Sequence, residues 1–262
     1  MPSSSTRCAE AEDSTSRLER WCLTGAFATL LVASWTYLFY EDWAMRHMDS
    51  VAMAMPGADA WSAADFALVF AMWAIMMVAM MLPSALPMVL IYRRLAAARS
   101  AHPSRLTAIF VAAYLTVWTV FSALATLAQW GLHTLALVTP SAILTSPWLA
   151  AALLIAAGVY QWTAAKRACL TGCAAPLQFL QTHWRDGAGG AWRMGMVHGA
   201  YCVGCCGLLM ALLFVYGVMN LVWIGALAAY VLAEKLLPTV SWLPRATGVV
   251  LIGWAVVLVA WR

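Results

Sequence analysis

DFALVFAMWAIMMVAMMLPSALPMVLIY, residues 65–92, carries no charge between Asp65 and the arginines that follow it, Arg93 and Arg94. A helix rises about 1.5 Å per residue and needs roughly 20 apolar residues to cross a hydrocarbon core about 30 Å thick. The stretch therefore predicts a membrane span rather than the core helix of a soluble domain. The rest of the chain agrees with it: 64% of the 262 residues are hydrophobic and 10% charged, with 15 Trp and 15 Met. That is far from soluble globular usage.

Comparable runs occur at Trp21–Tyr40, Leu106–Trp130, Trp148 to about Ala165, Gly195–Gly217, Leu221 to about Leu237 and Thr247–Trp261. The expected fold is an all-α polytopic transmembrane helix bundle of about seven spans. Six is the alternative, because the last two runs are closely spaced enough to form one re-entrant element and one span. Basic residues in short loops set the orientation. Arg93, Arg94, Arg99 and Arg105 follow the second run without an acid, and Lys166, Arg167, Arg185 and Arg193 follow the fourth against Asp186 alone. Both loops should face the cytoplasm. The loop after the first run holds Glu41, Asp42, Asp49 and Asp59 against Arg46, and residues 131–147 hold no charge. Those should face outward, which puts the N-terminus in the cytoplasm.

The net charge of +4 is accounted for by this asymmetry and does not imply nucleic acid. Residues 1–20, polar and Ser-rich, read as a disordered cytoplasmic tail, and 21–262 as one transmembrane domain. No Gly-rich nucleotide-binding loop occurs, and the longest stretch expected outside the membrane is the cytoplasmic loop from Lys166 to Arg193. Chemistry must then sit in the helices or at their mouths.

Soft ligand atoms are concentrated there. In HGAYCVGCCGLLM, residues 198–210, His198, Cys202 and Cys205 are spaced i, i+4, i+7 on one helical face, with Cys206 about 100° round from Cys205. Thiolates and thioethers select Cu(I), and thiolate with imidazole also suits zinc. A lone buried Cys is an ordinary small hydrophobe, whereas three with a His invite oxidation unless they are used. Met72, Met76 and Met80 recur every four residues on the second run, with Met77 and Met81 alongside. Cys169 and Cys173 lie just past the fourth run beside Lys166 and Arg167, and Met45, His47, Met48, Met53 and Met55 cluster in the first outward loop.

Counting depth along the helices sets Cys202–Cys206 level with Met77–Met81. A ladder of soft ligands follows, with Cys169 and Cys173 at the inner mouth, His198 and the three cysteines above them, then the Met stripe, then the outer Met/His loop. Whether the second and fifth spans touch is not something the sequence shows. Glu234 and Lys235 place two charges inside the sixth run, where charge is costly and marks function. Glu234 is expected near the level of His198, where the pair could serve the site by fixing the imidazole tautomer; the alternative is a snorkelling Lys235 with Glu234 in a structural polar contact.

Trp73 with Met76, Met77 and AMMLP (79–83), Tyr160–Gln161, Lys166, Cys169, Leu170, Cys173 and Pro176 resemble a bacterial family of predicted metal-binding integral membrane proteins. YCVGCC (201–206), Met210, GVMN (217–220) and Glu234–Lys235 belong to the same pattern, which covers about residues 65–240. The resemblance implies metal binding at Cys169, Cys173, Cys202, Cys205, Cys206 and the Met residues of the second run, and brings no activity with it. Where that family is expected to carry Trp after the double cysteine, this chain has Gly207.

The reading that follows is a Cu(I)-binding, multi-pass protein of the bacterial inner membrane that transports or delivers the metal, with zinc as the alternative ion. Its partners are the bilayer, the ion and a metallochaperone or metalloenzyme subunit. Two other readings stand beside it: a thiol–disulfide oxidoreductase using vicinal Cys205 and Cys206, and a factor that assembles a metalloenzyme. Enzymatic activity is the less favoured class.

Overall fold

The computed structural model describes residues 4–47, 61–139, 141–237 and 242–261, without the side chains of 4–20, 22, 23, 45 and 46. Met48, Met53 and Met55 of the expected outer loop lie outside the described residues, as does the side chain of Met45. The described residues are all-helical. In order the helices are α1 (Ser4–Arg46), α2 (Ala63–Ala97), α3 (Pro103–Thr134), α4 (Pro147–Tyr160), α5 (Ala164–Ala174), α6 (Pro176–His183), α7 (Gly187–Ala211), α8 (Leu213–Tyr216), α9 (Leu221–Leu236) and α10 (Trp242–Ala260).

Every expected span falls on helical residues, the fourth across the break between α4 and α5, and among the described residues four helices, or five with one bent pair, meet the length and apolarity of a crossing. α2, α3, α7 continued by α8, and α10 are each long and apolar enough to cross a membrane. α4 and α5 make a fifth candidate only as a pair bent by 66°. α9 has 16 residues, short of a full crossing at 1.5 Å per residue. α1 is helical from Ser4, where a tail is expected; the Ala, Glu, Leu and Arg residues between Ala9 and Arg20 are good helix formers.

The distribution of side chains is that of helices solvated by hydrocarbon. Val120, Leu124 and Leu127 of α3 and Val249, Val250, Val256 and Val257 of α10 are each at least half exposed, while Gln129, Lys166, His198, Glu234 and Lys235 are buried. In water such an outer face would be a large apolar patch; in a bilayer it is the wetted surface.

Small residues set how closely the helices approach. α3 packs along both α2 and α7. Gly195 and Gly199, one turn apart on α7, face it: a Cβ on Gly199 would lie 2.8 Å from Val117 Cγ2, and one on Gly195 would collide with the Phe110 carbonyl oxygen. This is the small-xxx-small contact of membrane helices. α10 meets α4 in the same way, Gly158 and Gly248 each leaving room for the other's carbonyl oxygen. α2 starts at a capping box, in which Ser62 N–H donates to Asp65 Oδ2 (2.8 Å) and Asp65 N–H to Ser62 Oγ (3.3 Å).

Candidate metal centre

The break between α4 and α5 builds the site. Thr163 caps α5, its hydroxyl accepting from Lys166 N–H (3.1 Å), and the new helix continues alongside α7 in the opposite direction. Lys166 meets Cys205, Cys169 meets Gly204 and Gly172 meets Tyr201. Two glycines allow this: a Cβ on Gly204 would fall 2.5 Å from Cys169 Sγ, and one on Gly172 2.9 Å from the Tyr201 ring. Tyr160 completes the junction by donating its hydroxyl to the Gly204 carbonyl (2.7 Å). Residues 166–174, expected at the start of a cytoplasmic loop, are therefore helical and packed by one face on α7, with Lys166 and Cys173 buried and Arg167, Ala168 and Thr171 exposed. The cause is the 66° bend between α4 and α5, which turns the chain against α7.

The consequence is that Cys173 stands beside the α7 cysteines. The sulfurs of Cys173, Cys202 and Cys205 all lie within 4.8 Å of one another, and all three residues are buried. Cys205 Sγ is 3.9 Å from Cys173 Sγ. Three sulfurs around one ion at a bond length of about 2.3 Å would stand about 4.0 Å apart in a trigonal plane, so small side-chain rotations suffice to close the set on a metal. The thiols of Cys205 and Cys206 both donate to the Cys202 carbonyl, at 3.2 and 3.0 Å. Cys206 Sγ also lies 3.7 Å from Met81 Sδ. The second and fifth predicted spans do meet, sulfur to sulfur, at the level that the depth count gives.

Two ammonium groups flank these sulfurs. Lys235 Nζ donates to Cys202 Sγ (3.0 Å) and to Ser84 Oγ (2.7 Å), and Ser84 Oγ donates on to the Met81 carbonyl (2.8 Å). Tyr114 Oη lies 3.2 Å from both Cys202 Sγ and the Met81 carbonyl oxygen. On the other side Lys166 Nζ donates to the Cys205 carbonyl (2.6 Å) and pairs with Glu234 Oε2 (2.8 Å), while Tyr230 donates its hydroxyl to Glu234 Oε1 (2.6 Å). Lys235 is buried and its ammonium meets Cys202 and Ser84, which replaces the snorkelling expectation, although the helix end just beyond it, Leu236 and Leu237, is half exposed.

The remaining predicted residues are dispersed. His198 is buried one turn from Cys202, stacked on Phe110 and Tyr114 with Phe179 edge-on, and neither ring nitrogen has a hydrogen-bond partner. Glu234 therefore does not orient it, since both carboxylate oxygens are taken by Lys166 and Tyr230. Cys169 packs on Gly204, outside the three-sulfur set. Met76, Met77 and Met80 are buried in the same core as the cysteines. His47 stacks on Trp43 at 4.7 Å, with Nδ1 2.8 Å from the Trp43 carbonyl oxygen. Sequence reasoning missed Ser84 and Tyr114 and left Lys166 in a loop. A lysine beside an apolar run, with a carboxylate inside a later run, was the available signal for the Lys166–Glu234 pair.

Three thiols with an adjacent thioether are a donor set that could hold a soft metal ion, and comparison with known proteins points the same way. The sequence profile of PpoB2, described as a copper chaperone, matches residues 70–258. This chain belongs to that family. The matched segment contains Met81, Cys173, Cys202, Cys205, Cys206 and both buried lysines, and it extends past the end of the resembled core at about residue 240 to include most of α10. No curated protein and no solved structure matches the chain.

Proposed function

We propose that this protein is a multi-pass protein of the bacterial inner membrane that holds Cu(I) between Cys173, Cys202 and Cys205 and hands it to an acceptor protein. The observation that carries the reading is the convergence of three buried thiols from α5 and α7 within 4.8 Å. Cu(I) is favoured over zinc because thiols and a thioether are the donors at hand, whereas structural zinc asks for four thiolate or imidazole ligands in a tetrahedron. Cys206 and Met81, the neighbouring sulfur pair, offer the next ligands when the ion moves outward. Met76, Met77 and Met80 extend that series, and the outer His47, Met48, Met53 and Met55 supply its far end. The family's description as a copper chaperone supports delivery, and the acceptor we propose is a metalloenzyme subunit.

Seven crossings with a cytoplasmic N-terminus remain the topology we favour, with α9 as a short span.

Copper stoichiometry tests the reading. Purified protein loaded anaerobically with Cu(I) and desalted is expected to retain one ion per chain, and the Cys173→Ser/Cys202→Ser/Cys205→Ser variant none. Wild-type protein that emerges without copper, or a triple variant that keeps it, would sink the proposal.

A further inference from the structure

The three-thiol centre is buried, yet one face of α7 leads to it from a cavity. At the α6–α7 corner a cavity of about 350 Å³ is lined by His183, Arg185, Arg193 and Met194 among others. Met194, His198 and Cys202 follow one another at i, i+4 and i+8, so their side chains stack along one helical face, roughly 6 Å apart from turn to turn. Met194 lines the cavity, and Cys202 belongs to the centre. His198 lies between them.

His198 has no structural partner that explains it. Its ring is buried with both nitrogens unbonded, and its faces are covered by Phe110 and Tyr114. Leaving such a polar group unpaired is costly, and buried polar groups without partners are uncommon enough to ask for a role. A neutral imidazole nitrogen in a dry aromatic enclosure is a ready ligand for a soft or borderline ion.

We propose that Met194 and His198 form a transfer site that carries Cu(I) from the α6–α7 cavity to Cys202, an inference that rests on the copper reading above. Each step exchanges one ligand for another: copper leaves its external donor for Met194, then bonds His198, then Cys202 as thiolate, any thiol proton passing to water, and it remains Cu(I) throughout with no electron moved. Thioether and imidazole are neutral ligands that give up no proton, and they hold Cu(I) less tightly than thiolates. The affinity therefore rises inward. Arg185 and Arg193 at the mouth repel a bare cation and attract an anionic copper complex.

The anionic Cu(I)–bicinchoninate complex is the probe. In stopped-flow mixing with the full chain in detergent, His198→Phe and Met194→Leu are each expected to slow copper uptake at least tenfold while the final stoichiometry stays at one ion per chain. Uptake at the wild-type rate in His198→Phe overturns the transfer site. Loss of the bound ion at equilibrium also overturns it, because His198 would then be a ligand of the centre. Should His198→Phe fail to fold as judged by gel filtration, Met194→Leu decides by the same criteria. A wild-type chain that takes up no copper at all refutes the function proposed above, a result distinct from any change of rate.

Discussion

Two lysines are buried in this bundle within reach of the same three cysteines, and they are partnered in opposite ways. Lys166 meets Glu234 at 2.8 Å and the Cys205 carbonyl at 2.6 Å, so its charge is balanced by a carboxylate that is itself bonded to Tyr230. Lys235, the next residue after Glu234, meets Ser84 and the sulfur of Cys202, and no carboxylate among the described residues is paired with it. The first lysine ties α5, α7 and α9 together. The second meets a sulfur. One arrangement is architecture; on the copper reading proposed above, the other is balanced by the Cys202 thiolate or an anionic copper–thiolate complex.

Breaking the architectural pair should have the largest effect. Glu234→Ala leaves the Lys166 ammonium buried without its counter-charge, and loss of one partner from a buried pair costs about 3–5 kcal/mol. Denaturation in detergent should show this loss, and Lys166→Met combined with Glu234→Leu should recover most of it. An unchanged unfolding midpoint in Glu234→Ala would remove the structural role assigned to the pair. Lys235→Met should act in the other direction of the comparison. It orphans no carboxylate, so the fold should lose less than in Glu234→Ala, while Cu(I) affinity falls about 10- to 100-fold, the usual cost of removing a group that orients a metal ligand. Competition with bicinchoninate measures it. Equal destabilisation by the two variants with copper affinity untouched would erase the distinction between the lysines.

The parts of this site that were legible in sequence are those that depend on a single helix. The i, i+4 and i+7 spacing of His198, Cys202 and Cys205 puts them on one face of α7, and counting residues from the inner boundary brings Met77–Met81 to the depth of Cys202–Cys206, where Met81 lies 3.7 Å from Cys206. What escaped depends on where the chain bends. Hydropathy ends the fourth span near Ala165 because Lys166 and Arg167 look like interface charges. Nothing in a one-dimensional profile reports that Glu234, 68 positions later, will neutralise Lys166 inside the bundle. With one face of α5 packed on α7, Cys173 joins the α7 thiols instead of guarding the mouth. Tyr114 and Ser84 were invisible for a related reason: a hydroxyl in a membrane helix can bond its own backbone, as Ser122 and Thr126 do, and only the fold shows which hydroxyls turn to a neighbour.

The smallest expected effect refines the Lys235 side of the comparison. Ser84 passes a hydrogen bond from Lys235 to the Met81 backbone, and the Met81 side chain touches Cys206, so this residue serves the centre twice, once through its carbonyl and once through its sulfur. Met81→Leu keeps the carbonyl and nearly the same volume while deleting the thioether. Such swaps usually cost under about 1.5 kcal/mol of stability. If the three thiols hold the ion and the thioether only receives it on the way out, the variant should bind copper with affinity within about threefold of wild type, under 1 kcal/mol, but release it more slowly to a chelating acceptor. Met88→Leu is the matched control, since Met88 is equally buried on the same helix but sits in the separate cluster around Tyr92 and Phe110. Slowed release in Met81→Leu alone would place the thioether on the outward path. Equal rates in both variants would reduce Met81 to packing and leave Lys235 as the centre's only specialised neighbour on that side.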